Sequence, residues 1–157
     1  LGLGDAEREL LEAAALLSNV GLFVSHSGHH KHSYYVIRNS EHLMGFTDRE
    51  IELIAQVARY HRKSQPSEDK HAEFAALAEA DRHRVRSMAG VLRVAIGLDR
   101  NHDGAVDQVE VRVEDGRAVL RLVAVEDDGD LTLERYSADH RSSLLSQQLG
   151  CEVVVEA

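Results

Sequence analysis

The sequence predicts an α+β chain: an all-helical domain over residues 1–100, then a small β-β-β-α-β module over residues 101–157. Two observations predict it. Apolar residues recur at helical spacing up to about residue 98, then at every second position from Val109 onward. The length of 157 residues suits one domain with a sound core, or such a domain with a small appendage.

The elements follow in order. Residues 5–20 read as a helix, with Asp5 as N-cap, Glu7 and Glu9 in the first turn, Leu10, Ala14 and Leu17 on one face, and Gly21 at C′. After the loop Ser25-His26-Ser27-Gly28, a second helix spans about His29 to Asn39. Thr47-Asp48-Arg49-Glu50 is a capping box that opens a third helix, whose Ile51, Ile54, Ala55, Ala58 and His61 share a face. Residues 62–70 hold the only proline, Pro66, and form a polar loop; a short helix around Phe74 and Leu77 follows. The long helix from about Asp81 to Leu98 carries Arg82, Arg86, Arg93 and Arg100 in one stripe. Its apolar face is Val85, Met88, Leu92, Ala95 and Ile96. One turn on, Asp99 projects into that face, where a carboxylate requires a partner or a metal. Val109, Val111 and Val113 then alternate with charged residues up to the Asp115-Gly116 hairpin turn, and residues 117–125 return. Asp127-Asp128-Gly129-Asp130 makes a turn before a strand over 131–136. A helix over 138–149 stops at Gly150, and residues 152–156 form the last strand.

Composition narrows function. There is no Trp, and three Phe with four Tyr supply no platform for stacking bases. The net charge of -9 opposes general nucleic-acid binding, so no specific nucleic acid is expected as a partner. No apolar run approaches the roughly 20 residues of a membrane span, and no membrane partner is expected. The chain opens at Leu1 with neither initiator Met nor signal peptide, and reads as a piece of a longer one. A lone cysteine, Cys151, rules out an internal disulfide and suits a reducing cytoplasm. Residues 1–100 carry 13 Lys/Arg against 14 Asp/Glu, while residues 101–157 carry 5 against 13. Eight of ten histidines lie between His26 and His83. An anion site therefore belongs to the first two-thirds.

Three constellations could carry chemistry. The first joins His26, His29, His30, Lys31 and His32 to Arg38, Arg59, His61, Arg62 and Lys63. Histidines at i, i+3 can hold a divalent metal; interleaved Lys, Arg and Ser at a helix N-terminus suit a phosphate oxyanion. A solvated polar helix with one or two core histidines is the third reading. The second constellation has EF-hand spacing, with Asp99, Asn101, Asp103, Asp107 and Glu110 at positions 1, 3, 5, 9 and 12 and Gly104 at 6. Its exit is strand-like where an EF-hand needs a helix, so an acidic turn is the competing reading. The third is the arginine stripe, a solvated face or an extension of an anion track through Arg93. No activated Ser or Cys and no Gly-rich phosphate loop is recognisable.

Several segments together resemble the C-terminal half of the Ppx/GppA family of exopolyphosphatases and guanosine pentaphosphate phosphohydrolases. They are Leu16–Gly21, Ser25–Ser33, Ile37–Ser40, Gly45–Thr47, Arg59–Lys63 and Leu92–Asp99. The resemblance implies a helical domain similar to HD phosphohydrolases, then a small α+β module. It implies that the phosphatase active site, with any Mg2+ or Mn2+, belongs to N-terminal domains of the same protein. The helical domain would then serve polyphosphate binding and homodimer contacts. At the position of the HD dyad this chain has Ser18-Asn19, poor replacements for imidazole and carboxylate. The expectation is a noncatalytic accessory region, binding polyphosphate or a guanosine pentaphosphate-type anion and carrying no catalytic residue or resident cofactor of its own. The alternative is a metal-dependent HD-type phosphohydrolase using His26, His29, His30, His32, His61 and Asp99.

Overall fold

The computed structural model describes every residue from Leu1 to Ala157 except Asp127. It is α+β, as the sequence predicts. Helices α1 (Asp5–Leu17), α2 (His29–Arg38), α3 (Asp48–Arg59), α4 (Ala72–Ala75) and α5 (Glu79–Leu98) come first, with a 3-10 turn at Val20–Phe23. Strands β1 (Val106–Glu114) and β2 (Arg117–Ala124), helices α6 (Thr132–Asp139) and α7 (Ser143–Leu149), and strand β3 (Glu152–Glu156) follow. Packing divides the chain into two compact units, Leu1–Ala89 and Gly90–Ala157, and α5 runs through the division.

In the first unit, Leu10 and Ala14 of α1, Ile37 of α2, Leu53, Ile54, Val57 and Ala58 of α3, and Val85 and Met88 of α5 are buried together with Tyr60 and Phe74. The capping box holds. The Thr47 hydroxyl accepts from the Glu50 amide, and the Glu50 carboxylate accepts from the Thr47 amide at 2.7 Å. The N-cap of α1 is Gly4 and not Asp5; its amide donates to the Glu7 carboxylate at 2.9 Å. Charge knits the helices: Asp81 of α5 accepts from Arg49 of α3 and from Arg84, and Arg84 also donates to Glu7 of α1 at 2.9 Å. Those guanidinium groups, Arg49 first, hold the Asp81 carboxyl below the ordinary carboxylate range.

Gly21 does a different job from the C′ residue the sequence suggests. It is buried in the 3-10 turn, against α2. A Cβ there would lie 2.2 Å from the His29 carbonyl oxygen and 2.3 Å from the Ser33 nitrogen. The Gly21 amide donates to Ser33 Oγ at 2.9 Å, and Ser33 Oγ donates to the Ser18 carbonyl at 2.7 Å. Glycine is needed here for close approach, not for a left-handed φ.

In the second unit the sheet order is β1-β2-β3, with β1 and β2 antiparallel and β2 and β3 parallel. Ala118, Leu120 and Leu122 of β2 and Val153 and Val155 of β3 form the core with Val94, Leu131, Ala138 and Leu145. The expected strand over 131–136 is helix α6 instead. Leu131, Glu134 and Ala138 are all buried, at i, i+3 and i+7, and the Asp130 carboxylate caps the helix by accepting from the Thr132 amide at 2.9 Å. The alternating Leu131-Thr132-Leu133 imitated a strand. Asp127, in the turn expected before it, lies outside the described residues. Asp99 also departs from expectation. Helix α5 ends at Leu98, so the carboxylate is exposed and accepts from the His102 ring at 3.1 Å.

Candidate functional site

The basic cluster is built on three anchors. Gly28, at φ +69°, ends the loop and starts α2. The seat of Gly21 against α2 fixes where that helix begins. The end of α3 then delivers Arg59, Tyr60, His61 and Arg62 in succession. Lys63, at φ +62°, turns the chain away.

His29 and His61 lie at the centre, 4% and 3% exposed. Their rings stack at an interplanar angle of 26°. His61 Nδ1 is 2.6 Å from the Ala58 carbonyl and His29 Nδ1 is 3.2 Å from the His26 carbonyl. The two Nε2 atoms lie 3.4 Å apart. Burial pushes the His61 pKa down to about 4, so the ring is neutral at pH 7. Arg62 brings its Nη1 to 3.3 Å from His29 Nε2.

Two nitrogens each about 2.0–2.1 Å from one tetrahedral ion sit about 3.3–3.4 Å apart, so the pair alone has metal-ligand spacing. The rest of the donor set does not fit a divalent metal. The Arg62 guanidinium, with Nη1 3.4 Å from Nδ1 and 3.3 Å from Nε2 of His29, sets a positive charge against the face of that ring, where it opposes a second cation. Ser18 donates to the Ala15 carbonyl at 2.9 Å, Asn19 is exposed, and Asp99 belongs to the other compact unit. Among the described residues, no three His, Cys, Asp or Glu side chains converge as a metal site.

Beside this pair opens a cavity of about 220 Å³ lined by His30, Lys31, Arg59, Tyr60, Ser64, Lys70 and His71. Its charge is positive. Arg59 pairs with Glu73 at 3.2 Å and lies 5.3 Å from the centre of the Tyr34 ring. Lys31 and Lys70, both exposed, have no carboxylate partner among the described residues. Burial, then the charge of Arg62, pushes the His30 pKa down to about 4. His71 is lowered too, by burial and then by Arg59, and its Nδ1 accepts from the Ser67 amide at 3.1 Å. That tautomer leaves His71 Nε2–H as a donor. The set supplies ammonium, guanidinium, imidazole and hydroxyl donors, and no carboxylate lines it.

The other sequence-predicted residues are dispersed. His26 is exposed and His32 half-buried outside the cavity lining. Arg38 is taken by Asp48 at 2.9 Å and Glu52 at 2.8 Å. Arg93 is buried in the second unit, where burial and then Arg141 lower its pKa. Arg82 and Arg86 of the stripe both reach Glu68. Of the EF-hand pattern, Asn101, Asp103 and Asp107 are exposed, and the Asp103 carboxylate accepts from the Ala105 amide at 3.2 Å. Glu110 stands in β1, 3.8 Å from Arg121. Tyr60, Ser64, Lys70 and His71 were not among the sequence candidates. The signal for two of them was present: a second basic pair, Lys70-His71, closes the loop that Arg62-Lys63 opens.

Two comparisons bear on this arrangement. Residues 3–146 match the family model described as Ppx/GppA phosphatase, domain III. A guanosine-5'-triphosphate,3'-diphosphate pyrophosphatase of Pseudoalteromonas translucida (strain TAC 125) is 31% identical over 107 residues, 68% of this chain. The match spans 20% of that relative's length. Among the described residues no helix is long and apolar enough to cross a membrane.

Proposed function

The chain belongs to the Ppx/GppA phosphatase family, and from that premise we propose that it is a phosphate-chain-binding accessory region serving a phosphatase site carried elsewhere in a longer protein. Its ligand is polyphosphate or a guanosine pentaphosphate-type anion, the latter matching the nucleotide in the name of its relative. The observation that carries this reading is the cavity at Lys31, Arg59 and Lys70, where two lysines lack carboxylate partners among the described residues. Phosphate oxygens supply the missing negative charge, and the ring N–H of His71 adds a neutral donor. We read such a site as one that holds the anion rather than one that cleaves it. No carboxylate lines it to position a water.

An anion in the cavity favours the charged form of His30 and His71, so binding takes up protons and tightens as pH falls from 7 toward 5. Replacing Lys31 or Lys70 by Ala is expected to weaken polyphosphate binding several-fold and to flatten its dependence on salt, since fewer counterions are released. Calorimetric titration at two salt concentrations measures both. Unchanged affinity and slope in the two variants would remove the anion site.

The second reading, a metal-dependent phosphohydrolase, has one observation in its favour, the 3.4 Å spacing of the His29 and His61 Nε2 atoms. Arg62 and the missing carboxylate weigh against it. Stoichiometric metal after purification, with chelator-sensitive phosphate release from polyphosphate, would establish it over the accessory reading.

A further inference from the structure

Arg59 enters the proposed anion site already paired. It lines the cavity with Lys31 and Lys70, yet its Nη1 donates to Glu73 Oε2 at 3.2 Å. The two partners are held unequally. The Arg59 side chain is only 14% exposed. Its guanidinium carbon lies 5.3 Å from the centre of the Tyr34 ring of α2 and 5.7 Å from that of Tyr60, just past α3. Those two rings fix where its charge stands. The Glu73 side chain is 51% exposed and is free to turn into solvent.

The segment that carries Glu73 does not depend on this contact for its place. Phe74, the next residue, is fully buried, edge-on to Tyr60 at 5.8 Å and beneath the Arg86 guanidinium at 4.9 Å. Arg82 donates to the carbonyls of Ala75 at 3.1 Å and Leu77 at 2.7 Å. The Ser67 amide donates to His71 Nδ1 at 3.1 Å. Packing and backbone contacts thus bring Lys70 and His71 to the cavity, and the Glu73 carboxylate can leave Arg59 without releasing them.

Charge says what would make it leave. An ion pair this exposed adds little to stability and exchanges readily. A phosphate monoester carries about −1.5 to −2 charges at pH 7, which Lys31 and Lys70 together match. A condensed phosphate adds charge with each further unit and calls for a third cation. Arg59 is that cation, and in the free chain Glu73 answers it.

We infer that Glu73 is a resident competitor for the ligand: it holds Arg59 in the free chain, and a condensed phosphate seated on Lys31 and Lys70 displaces it into solvent and takes over the guanidinium. The inference rests on the anion site proposed above and adds to it a residue that opposes binding. It keeps the free cavity less positive, and releases Arg59 only to an anion with charge enough to evict a carboxylate.

Calorimetric titration of the full chain with tripolyphosphate tests the inference, with Lys31→Ala as the control for the site itself. Glu73→Gln keeps the shape of the side chain and removes its charge, so affinity should rise about fivefold, the ceiling an exposed ion pair sets. Glu73→Asp keeps the charge but draws it back from Arg59 by one methylene, and should gain nearly as much. In an Arg59→Gln background, Glu73→Gln should add nothing. Circular dichroism verifies folding, and the two variants at exposed Glu73 decide the matter even if Arg59→Gln does not fold. A Glu73→Gln affinity at or below that of the wild type would overturn the inference. So would a gain in Glu73→Gln that is missing from Glu73→Asp, since that is charge repulsion without displacement. Lys31→Ala that binds as tightly as the wild type would take down the anion site and this inference with it; a weakened Lys31→Ala beside an unmoved Glu73→Gln removes the inference alone.

Discussion

The helical unit and the sheet unit handle charge in opposite ways. The helical unit neutralises most of its arginines locally. Arg38 meets Asp48 and Glu52, Arg84 meets Glu7 and Asp81, Arg86 meets Glu68, and Arg59 meets Glu73. Among the described residues Lys31 and Lys70 have no carboxylate partner, and both line one cavity. The sheet unit draws its core from aliphatic residues and carries its acidic excess outside, at exposed positions such as Glu110, Glu114, Glu152 and Glu156. A count of basic residues therefore does not locate an anion site. The absence of carboxylates around a few of them is what marks the proposed one.

The units share one device, a glycine that lets backbones touch, and it offers the strongest way to loosen one unit while sparing the other. Gly21→Ala drives a methyl to 2.2 Å from the His29 carbonyl, and Gly97→Ala drives one to 2.5 Å from Ala138 Cα. Each is expected to cost about 3 kcal/mol or more, because the obstacles are backbone and cannot swing aside. Hydrogen exchange separates them: Gly21→Ala should speed exchange first in α2, and Gly97→Ala first in α6 and β2. Equal acceleration in both places would mean that the two units unfold as one.

Acid acts next, and on the helical unit. His61 titrates near 4 in the folded chain, against an ordinary value near 6.5. As pH falls below about 6.5 the unfolded chain takes up this proton first, so stability declines toward pH 4 and is level above that window. The loss at its full extent is roughly 3 kcal/mol. His61→Asn should flatten this limb in denaturant melts followed from pH 7 to 4; an unchanged limb would place the acid sensitivity elsewhere.

Helix capping gives the smallest effect. Thr47→Ala removes the acceptor for the Glu50 amide and is expected to cost about 1 kcal/mol. A thermal melt reads it, and a cost well above this would mean that the start of α3 supports more than its own helix.

Much of this fold was legible because its signals are local. Thr47-Asp48-Arg49-Glu50 announces α3 through a reciprocal hydrogen-bond pair that needs no other part of the chain. Asp115-Gly116 announces the β1–β2 turn, with both residues at positive φ. What escaped depends on distant partners. The 131–136 segment satisfies the strand alternation as well as the helical spacing, and the choice is made by the core that receives Leu131 and Ala138. Gly21 reads as a helix stop until Ser33 is seen against it. Asp99 was placed by extending α5 one turn too far. At the site, His30, Lys31 and Arg59 were legible as part of a dense basic motif. Lys70 and His71 were not, because a loop across Pro66 returns them to the cavity, and spacing along the chain does not encode that return.

The cavity is the centre of the account, and the histidine rings report on it directly. Ring resonances followed by NMR across pH, with and without polyphosphate, read the protons that binding takes up. The account predicts that His30, near 4 in the free chain, moves upward with the anion, that His71 moves in the same direction, and that exposed His140 of the second unit does not. Polyphosphate that binds while His30 and His71 titrate as before, or that shifts His140 instead, would contradict it.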